Sequence, residues 1–170
     1  MKLNDLKEEV GIEFELMDET INELLSLKKE ISGREPTVRE KTAAAAFLAQ
    51  WYGGVENILK RFYRYHNIAL PVGDNWHTEI VKGISDPPLK GLPLLIDNTL
   101  FIALAPFRKF RHVVYHGYGF QLEWARMLPG IEQISTIFLM FKERVERLMD
   151  IDTDNVKNKM EDSHKEHKEP

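Results

Sequence analysis

Apolar residues recur at helical spacing along nearly the whole chain. Leu3, Val10, Met17, Leu24 and Ile31 stand seven apart, and Phe14 and Ile21 widen the same stripe. Seven residues are close to two turns of α-helix, so these side chains share one face. The pattern predicts a helix from Leu3 to about Ser32, ended by Gly33. Thr37-Val-Arg-Glu40 then reads as a capping box, with Pro36 just before it supporting a new start. The second predicted helix runs to about Tyr65, with Phe47, Trp51, Val55, Ile58 and Phe62 as its buried face. Ala43 to Ala46 permit a close helix–helix approach, and Gly53-Gly54 reads as a packing site or a bend.

Asn67 to Gly73 reads as a connector, and Asp74-Asn75 as the cap of a short helix from Trp76 to about Ile84. Three prolines and a glycine between Ser85 and Pro93 predict a loop. A fourth helix, from Leu94 or Asp97 to near Gly117, carries Pro106, which lacks an amide donor and predicts a kink. After a turn at Tyr118–Gln121, a last helix runs from Glu123 to about Asp150, with Pro129-Gly130 bending or splitting it. Its stripe is Ile131, Ile134, Phe138, Phe141, Val145 and Leu148. Short connections between helices favour antiparallel neighbours, so the expected fold is all-α: an up-and-down bundle of four main helices plus a short one. Residues 1–150 form the expected domain. Residues 151–170 mix Asp, Glu, Lys and His with few apolar residues and read as a disordered tail.

Composition narrows the function classes. The chain has 170 residues, enough for one domain with a sizeable core. The absence of cysteine removes disulfides and thiolate zinc sites. The N-terminus is charged and unlike a signal peptide, and the most apolar window, Leu92–Phe107, is broken by Asp97 and Pro106. The expectation is a cytoplasmic protein that does not engage a membrane. A formal net charge of −4 argues against a broadly basic nucleic-acid coat but not against a local basic site.

Such a site stands at the end of the fourth helix. Arg108, Lys109, Arg111, His112, Tyr115, His116 and Tyr118 crowd together, and no Asp or Glu occurs between Asp97 and Glu123. Residue types alone read equally well as a solvated helix end favoured by the dipole, or as a polyanion site with guanidinium for phosphate and imidazole for proton transfer. A second basic-aromatic run, Lys60-Arg61-Phe-Tyr-Arg64-Tyr-His66, could serve RNA, but reads better as a helix end with core aromatics. His77 reads as a surface histidine rather than a catalyst, and Phe107, Phe110, Val113 and Val114 as core. His112 and His116, four apart, match zinc spacing, yet no Cys or nearby carboxylate completes a set and the neighbouring cations oppose one. No metal and no cofactor are expected.

The run from Arg111 to Tyr118 spells R-H-x-x-x-H-x-Y. This resembles the signature of the HEPN superfamily, an arginine, a polar residue and a later histidine. It is most similar to the HepT-like toxins, whose version is R-x4-H-x-Y. The resemblance covers roughly residues 3–150 and implies a HEPN-like helical bundle. It also implies a metal-independent endoribonuclease toxin of a toxin–antitoxin pair (type II/VII-like) with RNA as substrate, and a homodimer with the motif at the shared cleft. It further implies a partner antitoxin of the MNT nucleotidyltransferase family that AMPylates Tyr118.

RNA cleavage by its own 2′-hydroxyl needs a base, an acid and positive charge at the phosphate. Arg111 is the candidate for the charge and His116 for proton transfer. His112, at the polar position of the motif, orients Arg111 or the substrate or carries a second proton. Arg108 and Lys109 support RNA binding. Arg111 and His116 lie about 140° apart on an ideal helix, so a distorted helix end or a second chain is needed for them to work together. The alternative is a non-catalytic HEPN-like module that holds a nucleotide or a partner protein.

Overall fold

The computed structural model describes the backbone of residues 1–166 and the side chains of residues 1–154. Five α-helices follow one another: α1 (Leu3–Ile31), α2 (Val38–Tyr65), α3 (Trp76–Lys82), α4 (Asn98–His116) and α5 (Trp124–Glu166). A single 3-10 turn, Gly119–Gln121, joins the last two. Among the described residues there is no strand, only one isolated bridge between Ser85 and Ile96 that closes the loop before α4. The architecture is the all-helical bundle expected from the periodicity.

The sequence explains where the helices start and pair. Thr37 Oγ1 accepts from the Glu40 amide (3.2 Å) while the Glu40 carboxylate accepts from the Thr37 amide (2.8 Å), so the capping box satisfies two orphan donors. Asp97 caps α4 by accepting from the Leu100 amide at 2.9 Å. α1 and α2 run antiparallel: Glu9 meets Arg61 and Arg64, Glu13 meets Arg61 and Asn57, and Met17 meets Gly54. A Cβ on Gly54 would stand 2.5 Å from Met17 Cγ, so this glycine is a packing site. α5 returns antiparallel to α1, with Lys28 on Glu132, Phe14 against Phe138 and Phe141, and Lys7 on Asp150. α2 is central and packs against α1, α3, α4 and α5. Its Trp51, fully buried, packs at a tilt of 56° against Phe107 of α4 with ring centroids 5.0 Å apart.

Several expectations are adjusted. Pro106 and Pro129 lie inside continuous helices, so Pro129-Gly130 does not split α5. A Cβ on Gly130 would stand 3.7 Å from the Phe107 ring, an ordinary van der Waals distance, so α4 packs beside this point of α5. Asn75 stands at the start of α3 but makes no side-chain cap. α5 continues past Ile151, where a disordered tail was expected, to Glu166, and Lys7 Nζ donates to Thr153 Oγ1 at 2.7 Å. That bond ties the first turn of the stretch to α1; residues 167–170 of the expected tail lie outside the described residues. No helix among the described residues is long and apolar enough to cross a membrane.

Candidate functional site

The C-terminal half of α4 forms one wall of a cleft of about 980 Å³. The opposite wall is the segment from Gly73 through Thr78 at the start of α3, and Glu56 of α2 contributes to the lining. Arg108, Lys109, Arg111, His112 and His116 all line this one cleft, with Tyr115 and Trp76 among them. Lys60 of α2 lies 4.2 Å above the Trp76 ring, a cation–π contact that ties α3 to the central helix. Tyr63, buried, adds a hydrogen bond from its hydroxyl to the Ile80 carbonyl at 3.2 Å.

The cluster is free of carboxylates in sequence but not in space. Glu56 is buried, with 2% of its side chain exposed, and faces Arg111 and His77. Arg111 Nε lies 3.3 Å from Glu56 Oε2, a charge contact without hydrogen-bond alignment. His77 Nδ1 lies 2.8 Å from Glu56 Oε1, and Arg111 Nη1 lies 3.0 Å from His77 Nε2. A guanidinium has only donors, so Nε2 must be the bare, accepting nitrogen. The His77 proton therefore sits on Nδ1 and is donated to Glu56. Burial pushes the Glu56 carboxyl up to about 7, against the pull of Arg111 and Lys60. Burial, aided by Arg111 and Lys60, pushes the His77 imidazole down to about 4. Next to them, burial raises the Tyr52 hydroxyl, whose oxygen has no hydrogen-bond partner among the described residues.

Around this anchor the motif residues spread outward. Arg111 keeps 20% of its side chain exposed, and its guanidinium lies over the Tyr115 ring at 4.7 Å. His112 and His116 are exposed and stand together, ring centroids 4.5 Å apart, as i, i+4 neighbours do. Arg108 and Lys109 have no carboxylate at ion-pair distance among the described residues. Beyond the helix, Tyr118 is 69% exposed and stacks on Phe120 with centroids 5.5 Å apart. α4 stays regular through His116, so Arg111 and His116 share the cleft while pointing from different faces of the helix.

Sequence reasoning missed Glu56, Trp76 and His77. His77 is no free surface histidine: it is tied to both Glu56 and Arg111 and tilted against the Trp76 ring, centroids 3.5 Å apart. The available signal was Glu56 itself, a carboxylate set between the buried residues Val55 and Ile58. Val113, expected in the core, is 49% exposed and lines the cleft, because it lies on the outer side of α4 from Leu104 and Phe107. The second basic run is structural: Arg61 and Arg64 are taken by Glu9 and Glu13, and Phe62 and Tyr63 are buried. Among the described residues no group of three or more His, Asp or Glu gathers closely enough to hold a metal ion.

The fold and site define a helical bundle with a basic, histidine-bearing cleft at one helix end. Residues 43–151 match the family model described as HepT-like protein, well over half of the chain. The chain belongs to the HepT-like family, of the HEPN type. No curated protein and no solved structure matches it.

Proposed function

We propose that this protein is a metal-independent endoribonuclease of the toxin type. The observation that carries the reading is the cleft shared by Arg108, Lys109, Arg111, His112 and His116, whose three permanent cations outnumber the two carboxylates of its lining, Glu56 and Asp74. A polyanion bound there meets permanent charge from Arg111 and titratable imidazole from His116. The RNA 2′-hydroxyl gives up its proton and its oxygen attacks the adjacent phosphorus. The bond to the 5′-oxygen breaks, that oxygen takes a proton, and a cyclic phosphate and a 5′-hydroxyl result. Arg111 offsets the charge on the phosphate and His116 carries a proton. HepT-like membership supports the toxin class.

The cell requires such an activity to be held off, and the reading assigns that to an MNT-type nucleotidyltransferase antitoxin acting on Tyr118. The exposure of Tyr118 supports this, since a buried hydroxyl could not be modified by another enzyme. An adenylate there places a negative phosphate close to the cleft and opposes RNA. A homodimer brings two copies of Arg111 and His116 to one cleft and separates the acid and base roles between two His116 side chains. Ile102, Val113 and Tyr115, all exposed on α4, support an interface along that helix. The test incubates the full chain with single-stranded RNA in the presence of chelator. Cleavage that persists, and is lost in Arg111→Ala and His116→Ala, supports the reading. Equal cutting by both variants overturns it. Light scattering at the assay concentration tests the dimer, which an active monomer would exclude.

Glu56 and His77 engage Arg111 on its inner side, which also fits the second reading, a module that binds nucleotide without cutting it. Tight RNA binding with no cleavage by the parent chain would select that reading.

A further inference from the structure

We propose that His77 is a positioning residue for Arg111, fixing the plane of its guanidinium so that the remaining N–H groups are presented to the cleft. The inference rests on the reading of Arg111 as the phosphate-binding group. Glu56 alone cannot set that plane. Its contact with Arg111 is 3.3 Å but lacks hydrogen-bond alignment, so it fixes where the charge sits and leaves the fork free to turn. The directional bond is Arg111 Nη1 to His77 Nε2 at 3.0 Å. A guanidinium has five N–H donors, so one bond to His77 leaves most of the fork for substrate oxygens.

His77 is itself held from three sides. Glu56 accepts its Nδ1 proton at 2.8 Å, which commits Nε2 to accepting. Trp76 packs against the ring, and Lys60 sits over Trp76 at 4.2 Å. α3 is anchored to α2 through the Tyr63 hydroxyl. The charged and titratable groups around the imidazole are Glu56 and Lys60 from α2 and Arg111 from α4. Burial and the two cations keep the ring neutral at physiological pH, which is the state that can accept from an arginine. A short helix that carries no motif residue thereby fixes the motif arginine, from 34 positions away in sequence.

The experiment compares the full-length parent, His77→Phe and His77→Gln. Phe keeps a ring against Trp76 but cannot accept a bond, whereas the Gln amide oxygen reaches the region of Nε2 and can. The first readout is independent of catalysis: 15N-detected guanidinium signals of Arg111, assigned by their loss in Arg111→Lys, report rotation about Cζ–Nε. Slow rotation in the parent, fast rotation in His77→Phe and recovery in His77→Gln are expected. The second readout is RNA cleavage, for which a misplaced group typically costs on the order of 10²-fold in kcat with a smaller change in KM. His77→Gln should recover most of it. Unchanged Arg111 rotation in His77→Phe overturns the proposal, whatever cleavage does. The expected rotation pattern in a parent chain that cuts no RNA upholds the positioning role and overturns the ribonuclease reading instead.

Discussion

Two runs of the chain look alike on paper and behave oppositely in space. Lys60 to His66 at the end of α2 and Arg108 to Tyr118 at the end of α4 both interleave basic and aromatic residues at a helix C-terminus. In the first, Arg61 bonds Glu9 at 3.1 Å and Glu13 at 2.8 Å, Arg64 bonds Glu9, and Asn57 bonds Glu13. Two carboxylates meet the two arginines, Lys60 turns to the Trp76 ring, and Phe62 and Tyr63 go inward. In the second, Arg111 meets one carboxylate, and Arg108 and Lys109 meet none among the described residues. Positive charge is left over at the mouth of a cleft, with two exposed histidines beside it. The difference lies in what packs against each helix end: α1 brings an acidic face to α2, whereas at the end of α4 only Glu56 comes within ion-pair distance of a cation, and Asp74 across the cleft pairs with none of them among the described residues. A basic run keeps its charge available to an anion where its neighbours fail to neutralise it.

The largest effects should separate the two runs by activity. Arg111→Ala and His116→Ala should each lower RNA cleavage by about 10²–10⁴-fold while far-UV circular dichroism stays that of the parent. Arg61→Ala should cut RNA at the parent rate per folded molecule. Loss of cleavage in folded Arg61→Ala would place RNA on the α2 end as well and dissolve the comparison.

Next comes the pH dependence of stability. The Glu56 carboxyl stands at about 7 in the folded chain against an ordinary value of 4.5, so the fold holds this proton more tightly. Its contribution is full below about pH 4.5 and is lost as pH rises through 7. His77 acts in the opposite sense: at about 4 instead of 6.5, its contribution is full above pH 6.5 and is lost as pH falls through 4. Glu56→Gln should remove the decline between pH 4.5 and 7, an effect of up to about 3 kcal/mol. Urea unfolding at a series of pH values measures it. Parallel parent and variant curves would mean that Arg111 and His77 hold Glu56 ionised.

Arg61→Ala should cost about 2 kcal/mol of stability, because it strands the buried Glu13 with only Asn57 for a partner. Thermal unfolding checks it, and an unchanged midpoint would show the α1–α2 network to be incidental. The smallest expected effect is at Tyr118. Tyr118→Phe should change cleavage by no more than about 3-fold, the scale of one weak exposed hydrogen bond. It should abolish any adenylate mass added by a cognate nucleotidyltransferase and ATP. A mass increase that persists in Tyr118→Phe would move the modification elsewhere.

The sequence by itself determined the helices and singled out the residues on the outer side of the candidate cleft. Local signals suffice for a helix: the seven-residue stripe of α1, the Thr37–Glu40 box and the Asp97 cap depend on neighbours a few residues away. The motif from Arg111 to Tyr118 is legible for the same reason, since it spans eight consecutive residues at one helix end. Tertiary structure alone decided the inner half. Glu56, His77 and Arg111 belong to three different helices and meet only when α3 and α4 pack on α2. No periodicity in a linear chain encodes that meeting. Nor could spacing tell which basic run would be neutralised. Arg61 and Arg111 carry the same side chain near the same kind of helix end. What separates them is the facing element, acidic in α1 and nearly bare of carboxylates beside α4, because long-range charge is set by which faces pack together.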